Sequence, residues 1–281
     1  KGTEAMAMKN YPVAEVNLKA SLQKDKNFLP ALVQLSELFY RNMRYAEALE
    51  LARKAISIDA HHGAANYMYG LVNEALGNAV DAKDGFSLAT LTTEYRSAAY
   101  TRLARIAITE NNPAKALDFT RQALNYNRFN MDAAQLNVVS NRLNRDEKSA
   151  LAGIAAIREL DPLSHFGAIE TWLVNPSENN LAAIRKLIVN EMPEQSFLET
   201  GIWYASIGLQ AEALKVFSLA PPSAEIEFWK AYLNKTVPDY TKIDCRLSFP
   251  FRSETARVLE GLLKLNNHWI PRYQLALIYK D

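Results

Sequence analysis

Five alanines stand 34 residues apart in this chain: Ala14, Ala48, Ala82, Ala116 and Ala150. Alanine supplies 40 of the 281 residues, so four further specified positions would all be alanine by chance in roughly 4 of 10,000 such chains. A period of this length marks an array of like units, each burying its apolar face on the next. Other columns keep the same step. Seven residues after each alanine come Ser21, Ala55, Ala89, Ala123 and Ile157, mostly small. Twelve residues before stand Gly2, Ser36, Gly70, Ala104 and Val138, small except for the last.

The register predicts units at 29–62, 63–96, 97–130 and 131–164, with a partial unit at 1–28. Gly (10) and Pro (11) are scarce and alanine abundant, which favours helices. Within 29–62, Leu32, Leu35, Phe39, Ala48, Ala52 and Ala55 fall at helical spacing. A break near Met43–Arg44 divides them into two segments. Its equivalents are Gly77–Asn78, a helix stop, and Asn111–Asn112–Pro113, an N-cap followed by proline at the first helical position. Each unit therefore reads as a helix–turn–helix hairpin. Ser36 and Ala48 belong at helix crossings, where axes 8–10 Å apart leave little room for side chains.

At these positions the chain resembles the tetratricopeptide repeat family. Residues 63–96 carry the pattern best, with Gly70, Ala82, Phe86 and Ala89, and 131–164 ends Leu160-Asp161-Pro162. Asn66 and Asn137 depart from it, where large apolar residues are usual, and are expected to loosen individual contacts without threatening the fold. The resemblance covers at least residues 1–164 and implies an all-α chain, an α-α superhelix: a right-handed solenoid of antiparallel helix hairpins.

From 165 to 281 the solenoid is expected to continue irregularly. Ala213 follows Ala150 by 63 residues, 34 plus 29. Gly201, Tyr204, Gly208, Ala213, Phe217 and Ala220 make 194–222 a clear unit, stopped by Pro221-Pro222. A shortened unit at 165–193 turns at Asn175-Pro176-Ser177. Helices are predicted near 223–235, 252–266 with Ser253 as N-cap, and 270–280, with a long loop at 236–250. The loop reads either as a plain insertion or as a dedicated site. A first helix without its start and a last one without its mate would need capping, so the sequence reads as a piece of a longer protein. Phe249-Pro250-Phe251-Arg252, Val258-Leu259-Glu260 and the run from Trp269 to Tyr279 resemble the helical region of large bacterial repeat proteins. Those proteins carry an N-terminal β-rich domain of unknown function, similar to carbohydrate-associated modules. The second resemblance implies an alternative role as a helical accessory segment, with activity or binding on another domain.

Catalytic chemistry is poorly supplied. His61, His62, His165 and His268 include no i, i+4 pair, and the adjacent His61 and His62 read as solvated junction residues. Cys245 is the single cysteine, so no internal disulfide or Cys-based zinc cluster can form. It has no histidine beside it in sequence to activate a thiolate. No glycine-rich phosphate loop is present. Asn234-Lys235-Thr236 fits a glycosylation acceptor, relevant only in a secreted eukaryotic setting. No enzyme, metal or cofactor is expected. Net charge is +1, against the basic excess of nucleic-acid binders, and no apolar run reaches the length of a membrane span. Lack of disulfides permits the cytoplasm without excluding a periplasm.

What remains is a surface. Positions 4, 7, 8 and 11 of each first helix face the partner helix, and positions 2, 5, 9, 12 and 13 lie opposite. The family resemblance implies that this second side lines a concave channel for peptides. Here it presents Val33, Tyr67, Thr101 and Gln135 at position 5, and Glu37, Leu71, Arg105 and Val139 at position 9. The family's carboxylate clamp places Lys and Asn at these two positions, and Val33/Glu37 and Tyr67/Leu71 do not supply it. Tyr40, Arg41, Tyr67, Thr101, Arg105, Gln135 and Arg142 are the candidate partner-binding residues, tyrosine and arginine being strong interface anchors. The expected function is a non-catalytic scaffold holding a peptide or protein partner.

Overall fold

A computed structural model of the chain describes residues 1–189, 192–246 and 248–280. The parts of the expected 165–193 unit and 236–250 loop that fall on Asn190, Glu191 and Leu247 lie outside the described residues, as does Asp281. Among the described residues there are seventeen helices and no strand. The chain forms two compact units, Lys1–Asp146 and Glu147–Asp281.

The first unit contains α1 (Gly2–Ala7), α2 (Tyr11–Lys24), α3 (Leu29–Arg41), α4 (Tyr45–Ile58) and α5 (Gly63–Leu76). It continues with α6 (Ala79–Ala89), α7 (Thr93–Thr109), α8 (Pro113–Tyr126) and α9 (Met131–Leu143). Each helix packs on its chain neighbours, and α3, α5, α7 and α9 also touch side by side in order. The periodic alanines explain the closeness. Ala14, Ala48, Ala82 and Ala116 are fully buried, and Ser36 donates its hydroxyl to the Ala48 carbonyl across the α3–α4 crossing at 2.9 Å. Leu32, Leu35, Phe39, Ala52 and Ala55 are buried with them.

The turns repeat as strictly as the alanines. Lys9, Met43, Gly77, Asn111 and Arg145, 34 residues apart, all take the left-handed conformation with φ between 56° and 81°. After each, the next N–H returns to a carbonyl five residues back: Asn10 to Ala5, Arg44 to Phe39, Asn78 to Asn73, Asn112 to Ala107, Asp146 to Asn141. This is the Schellman closure of a helix end. Glycine is free to enter that conformation, whereas Lys9, Met43 and Arg145 enter it at a cost of about 1 kcal/mol. The closures at Gly77 and Asn111 carry favourable residues. The other three are enforced by the packing on either side.

Asn66 and Asn137 are held by hydrogen bonds, and the fold stands as expected around them. Asn66 is buried and donates to the carbonyls of Ala60 (2.9 Å) and His62 (3.1 Å), tying the end of α4 to the start of α5. Asn137 donates to the buried Thr120 hydroxyl at 2.8 Å. Hydrogen bonds replace the apolar contact the family pattern would make there.

The second unit contains α10 (Glu147–Leu160), α11 (His165–Val174), α12 (Glu178–Leu187), α13 (Pro193–Ser206) and α14 (Gln210–Leu219). After these come α15 (Ala224–Leu233), α16 (Ser253–Leu265) and α17 (Trp269–Lys280). Closures of the same kind follow α13 at Gly208 and α15 at Lys235. The chain after Lys235 runs without helix or strand, among its described residues, until α16 packs back on α15. The long loop thus stands inside one hairpin. Ser253, expected as the N-cap of α16, is its first helical residue. Arg252 holds the cap position in extended backbone, with no side-chain bond to the helix.

Candidate functional site

Helical periodicity divides α3 and α5 into two stripes. Leu32, Leu35, Ser36 and Phe39 bury one stripe of α3. Val33, Glu37, Tyr40 and Arg41 occupy the other, and with Tyr67, Met68 and Leu71 of α5 and Tyr95 of α7 they enclose a cleft of about 380 Å³.

Neighbours hold the cleft's aromatic rings in place. The Tyr67 ring lies 5.3 Å from Tyr95 and 5.6 Å from Phe86, and Tyr40 lies 5.7 Å from Tyr45. Such rings offer contact area with little conformational freedom to lose on binding. Arg41 forks onto Glu37 at 2.7 and 3.0 Å. That hydrogen bond, opposed by burial and helped by Tyr11, holds the guanidinium above its ordinary pKa. Burial, then the charges of Glu94 and Glu37, push the Tyr95 phenol up, so it remains a neutral donor.

Arg102 of α7 completes the electrostatics. Its Nη1 lies 3.4 Å from Glu74 of α5. Burial works against its charge, but Glu74, Tyr67 and Tyr40 more than restore it, and its pKa stands above the arginine norm. The cleft and its border thus present tyrosines, two arginines and two glutamates over an apolar floor that includes Leu71 and Met68.

Of the seven candidate residues, Tyr40, Arg41 and Tyr67 line this cleft together. Thr101 does not share the open face: it is buried, donating to the Ser97 carbonyl at 2.8 Å and accepting from Asn130 at 3.0 Å. Asn130 caps α9 and reaches back across to α7, which closes over Thr101. Arg105 is largely buried and pairs with Asp132 of α9 at 3.4 Å. Gln135 and Arg142 are half-buried on α9 and do not line the cleft. The sequence pattern does not mark Arg102 or Tyr95. Tyr95 escapes a reading that starts the unit at 97, because α7 begins at Thr93. The 28-residue step from Glu74 to Arg102 joins adjacent units and has no local sequence signal.

Two histidines act on backbone. His62, expected to be a solvated junction residue, caps α5 by accepting from the Ala65 N–H at 3.2 Å. His268 accepts from the Ile270 N–H and stacks on Tyr240 at 4.1 Å. Burial, then the charge of Asp244, push the Cys245 thiol up, away from the reactive thiolate. Among the described residues, no cluster of His, Cys, Asp or Glu could hold a metal ion. Nor is any helix among them long and apolar enough to cross a membrane.

No protein-family model and no curated protein matches the chain. Solved structures do. PilF of Pseudomonas aeruginosa superposes with a TM-score of 0.58 at 19% identity, covering 75% of this chain and 92% of PilF. The C-terminal part of a TPR repeat-containing protein from Cytophaga hutchinsonii gives 0.57 at 14% identity, covering 98% of both chains. YrrB, described as a TPR protein with an unusual peptide-binding site, gives 0.52 at 17% identity over 65% of this chain and 97% of its own. At these identities the likeness speaks to architecture: the chain has the α-α superhelical fold of tetratricopeptide-repeat proteins.

Proposed function

We propose that the chain is a non-catalytic interaction scaffold. In this reading, 1–164 carries the regular repeats, 165–281 their irregular continuation, and the first helices of the regular repeats hold a peptide or a partner protein. The observation that supports it is the Tyr40–Arg41–Tyr67–Tyr95 cleft across α3, α5 and α7, with its rings pre-positioned and its charges paired. A peptide laid along these helices places one apolar or aromatic side chain over Leu71 and Met68. It meets donors from Arg41 and the tyrosines. A longer segment would meet Gln135 and Arg142, half-buried on α9 beyond the cleft, while Arg105 stays paired with Asp132. The peptide-binding site named for YrrB shows that this fold is put to such use in another protein.

The test uses peptides selected from a displayed random library against the whole chain. Tyr40→Ala combined with Arg41→Glu alters the cleft at half-buried and exposed side chains, leaving the helix crossings intact. We expect this double variant to keep its helical circular dichroism and to lose about ten-fold or more in affinity, as loss of two interface anchors does. Peptides that bind the folded variant as tightly as the native chain would remove the reading.

A further inference from the structure

The second unit holds a cleft of a different chemistry. It has a volume of about 630 Å³ and opens between the N-terminal turns of α13 and α15 and the segment leading into α16. Among the described residues its charged groups are Glu194 and Glu199 from α13, Glu225 from α15, Asp244 from the loop, and one cation, Arg252. Arg252 is engaged, donating to Gln195 at 2.9 Å and Glu199 at 2.7 Å. Asp244 pairs outward with Arg246. Glu225 is different. It is only 5% exposed, and its Oε2 is buried without a hydrogen-bond partner. A place in the first turn of α15 gives it the favourable end of the helix dipole. One carboxyl oxygen nonetheless lacks a donor, which is a costly arrangement unless something else supplies one. Beside it the loop presents Phe249 and Phe251, 65% and 68% exposed. Arg252 already lies 4.5 Å over the Phe251 ring, showing that this corner accepts a guanidinium on an aromatic face. Phe249 is the second ring of that kind.

We propose that this cleft binds a cationic side chain, an arginine or lysine carried by a partner polypeptide, which meets the carboxyl group of Glu225 and lies against Phe249. An excess of carboxylates, a buried acid short of a donor and an exposed ring together select an organic cation. No grouping of ligands suited to a metal ion occurs among the described residues. Binding is coupled to a proton. Burial holds Glu225 above the usual carboxylate range, and Glu194 adds to this. The Arg252 charge and the Thr255 hydroxyl pull the other way. An incoming cation favours the ionised form, so it drives a proton off Glu225, and affinity rises as pH rises through the group's elevated pKa.

The experiment titrates the whole chain with Nα-acetyl-arginine amide, Nα-acetyl-lysine amide and the neutral isostere Nα-acetyl-citrulline amide. The readout is the Trp229 indole N–H resonance, whose acceptor is the Thr255 hydroxyl. Both cations are expected to bind about ten-fold or more tightly than citrulline amide, with proton release on binding. Glu225→Gln, which keeps the shape, is expected to abolish that advantage. Phe249→Ser, an exposed change, should weaken both cations and leave the fold alone. Equal binding of arginine and citrulline amides, or undiminished cation binding by folded Glu225→Gln, would overturn the proposal. Stability gives a second readout. The folded chain holds the Glu225 proton to higher pH than the unfolded chain, so this group's contribution is present at low pH and lost as pH rises through its folded pKa. Glu225→Gln should therefore melt above the native chain at pH 8 and beside it at pH 4.

Discussion

Gly85→Leu should lower the unfolding midpoint of the first unit by about 10 °C or more, the effect of roughly 3 kcal/mol of overpacking. Gly85 lies on α6 where that helix meets α5 backbone to backbone. A Cβ there would stand 2.7 Å from the Asn66 carbonyl oxygen and 2.8 Å from the Gly70 nitrogen. Main-chain atoms cannot swing aside as a side-chain tip can. On the facing helix, Gly70 is filled in turn by Phe86, whose ring would lie 2.7 Å from a Cβ at that position. The two glycines therefore interlock: one admits the ring, the other admits the backbone. Gly85→Ala is the sharper sign test. Alanine gains about 1 kcal/mol of helix propensity, so on an open helix face the change would stabilise. Here it is expected to destabilise, because α5 and α6 must separate to admit even one carbon. The neighbouring exposed Asp84→Ala should leave the midpoint within a degree or two. A Gly85→Ala variant that melts above the native chain in circular dichroism would show that the helices do not approach this closely.

The 34-residue step made most of the first unit legible, because a small residue at a helix crossing is a constraint on sequence as well as on geometry. Ala48 and Ser36 meet at the crossing where their columns placed them. The turns were legible where Gly77 and Asn112–Pro113 announce them. They were silent at Lys9 and Arg145, whose left-handed backbone is imposed by the flanking helices and has no local chemistry to mark it. The candidate surface was partly legible for the same reason. Periodicity placed Tyr40, Arg41 and Tyr67 on one stripe. Whether a stripe residue faces a cleft or a neighbour's cap depends on contacts between units, and Asn130 decided that for Thr101. Arg102 reaches its place through Glu74, and Glu225 reaches its own through the folding back of the loop. Both are tertiary facts without a motif. Composition predicts a loop at 236–250, and its described residues form neither helix nor strand. Its place inside the α15–α16 hairpin follows from the return of α16, where Gly261 lets the helix close on the Tyr232 ring, which a side chain there would strike.

Tyr204→Ala is expected to cost the second unit about 3–5 kcal/mol, as removal of a large buried aromatic does. Tyr204 and Glu170 are both fully buried, and the tyrosine hydroxyl donates to Glu170 Oε1 at 2.7 Å. They stand 34 residues apart, so a bond between α11 and α13 keeps the period where the flanking turns have lost it. The ring also meets Trp203 at 5.2 Å and Phe166 at 6.5 Å. The alanine variant therefore removes two things: the volume of the ring, and a donor to a buried acid. Tyr204→Phe separates them. It keeps the packing and deletes the hydroxyl, and leaving a buried acceptor without its donor costs about 1–3 kcal/mol. Glu170→Gln retains an acceptor of the same shape, so Tyr204→Phe should cost less in that background, with a coupling of at least about 0.5 kcal/mol in the double-mutant cycle. Urea unfolding followed by the Trp203 indole N–H resonance reads the site directly, since that indole lies edge-on to both the Tyr204 and the Phe166 rings. If Tyr204→Phe falls within about 0.5 kcal/mol of the native chain, the hydroxyl–carboxyl bond does not hold α11 to α13. The second unit would then rest on ring packing alone, and the alanine variant would measure that packing.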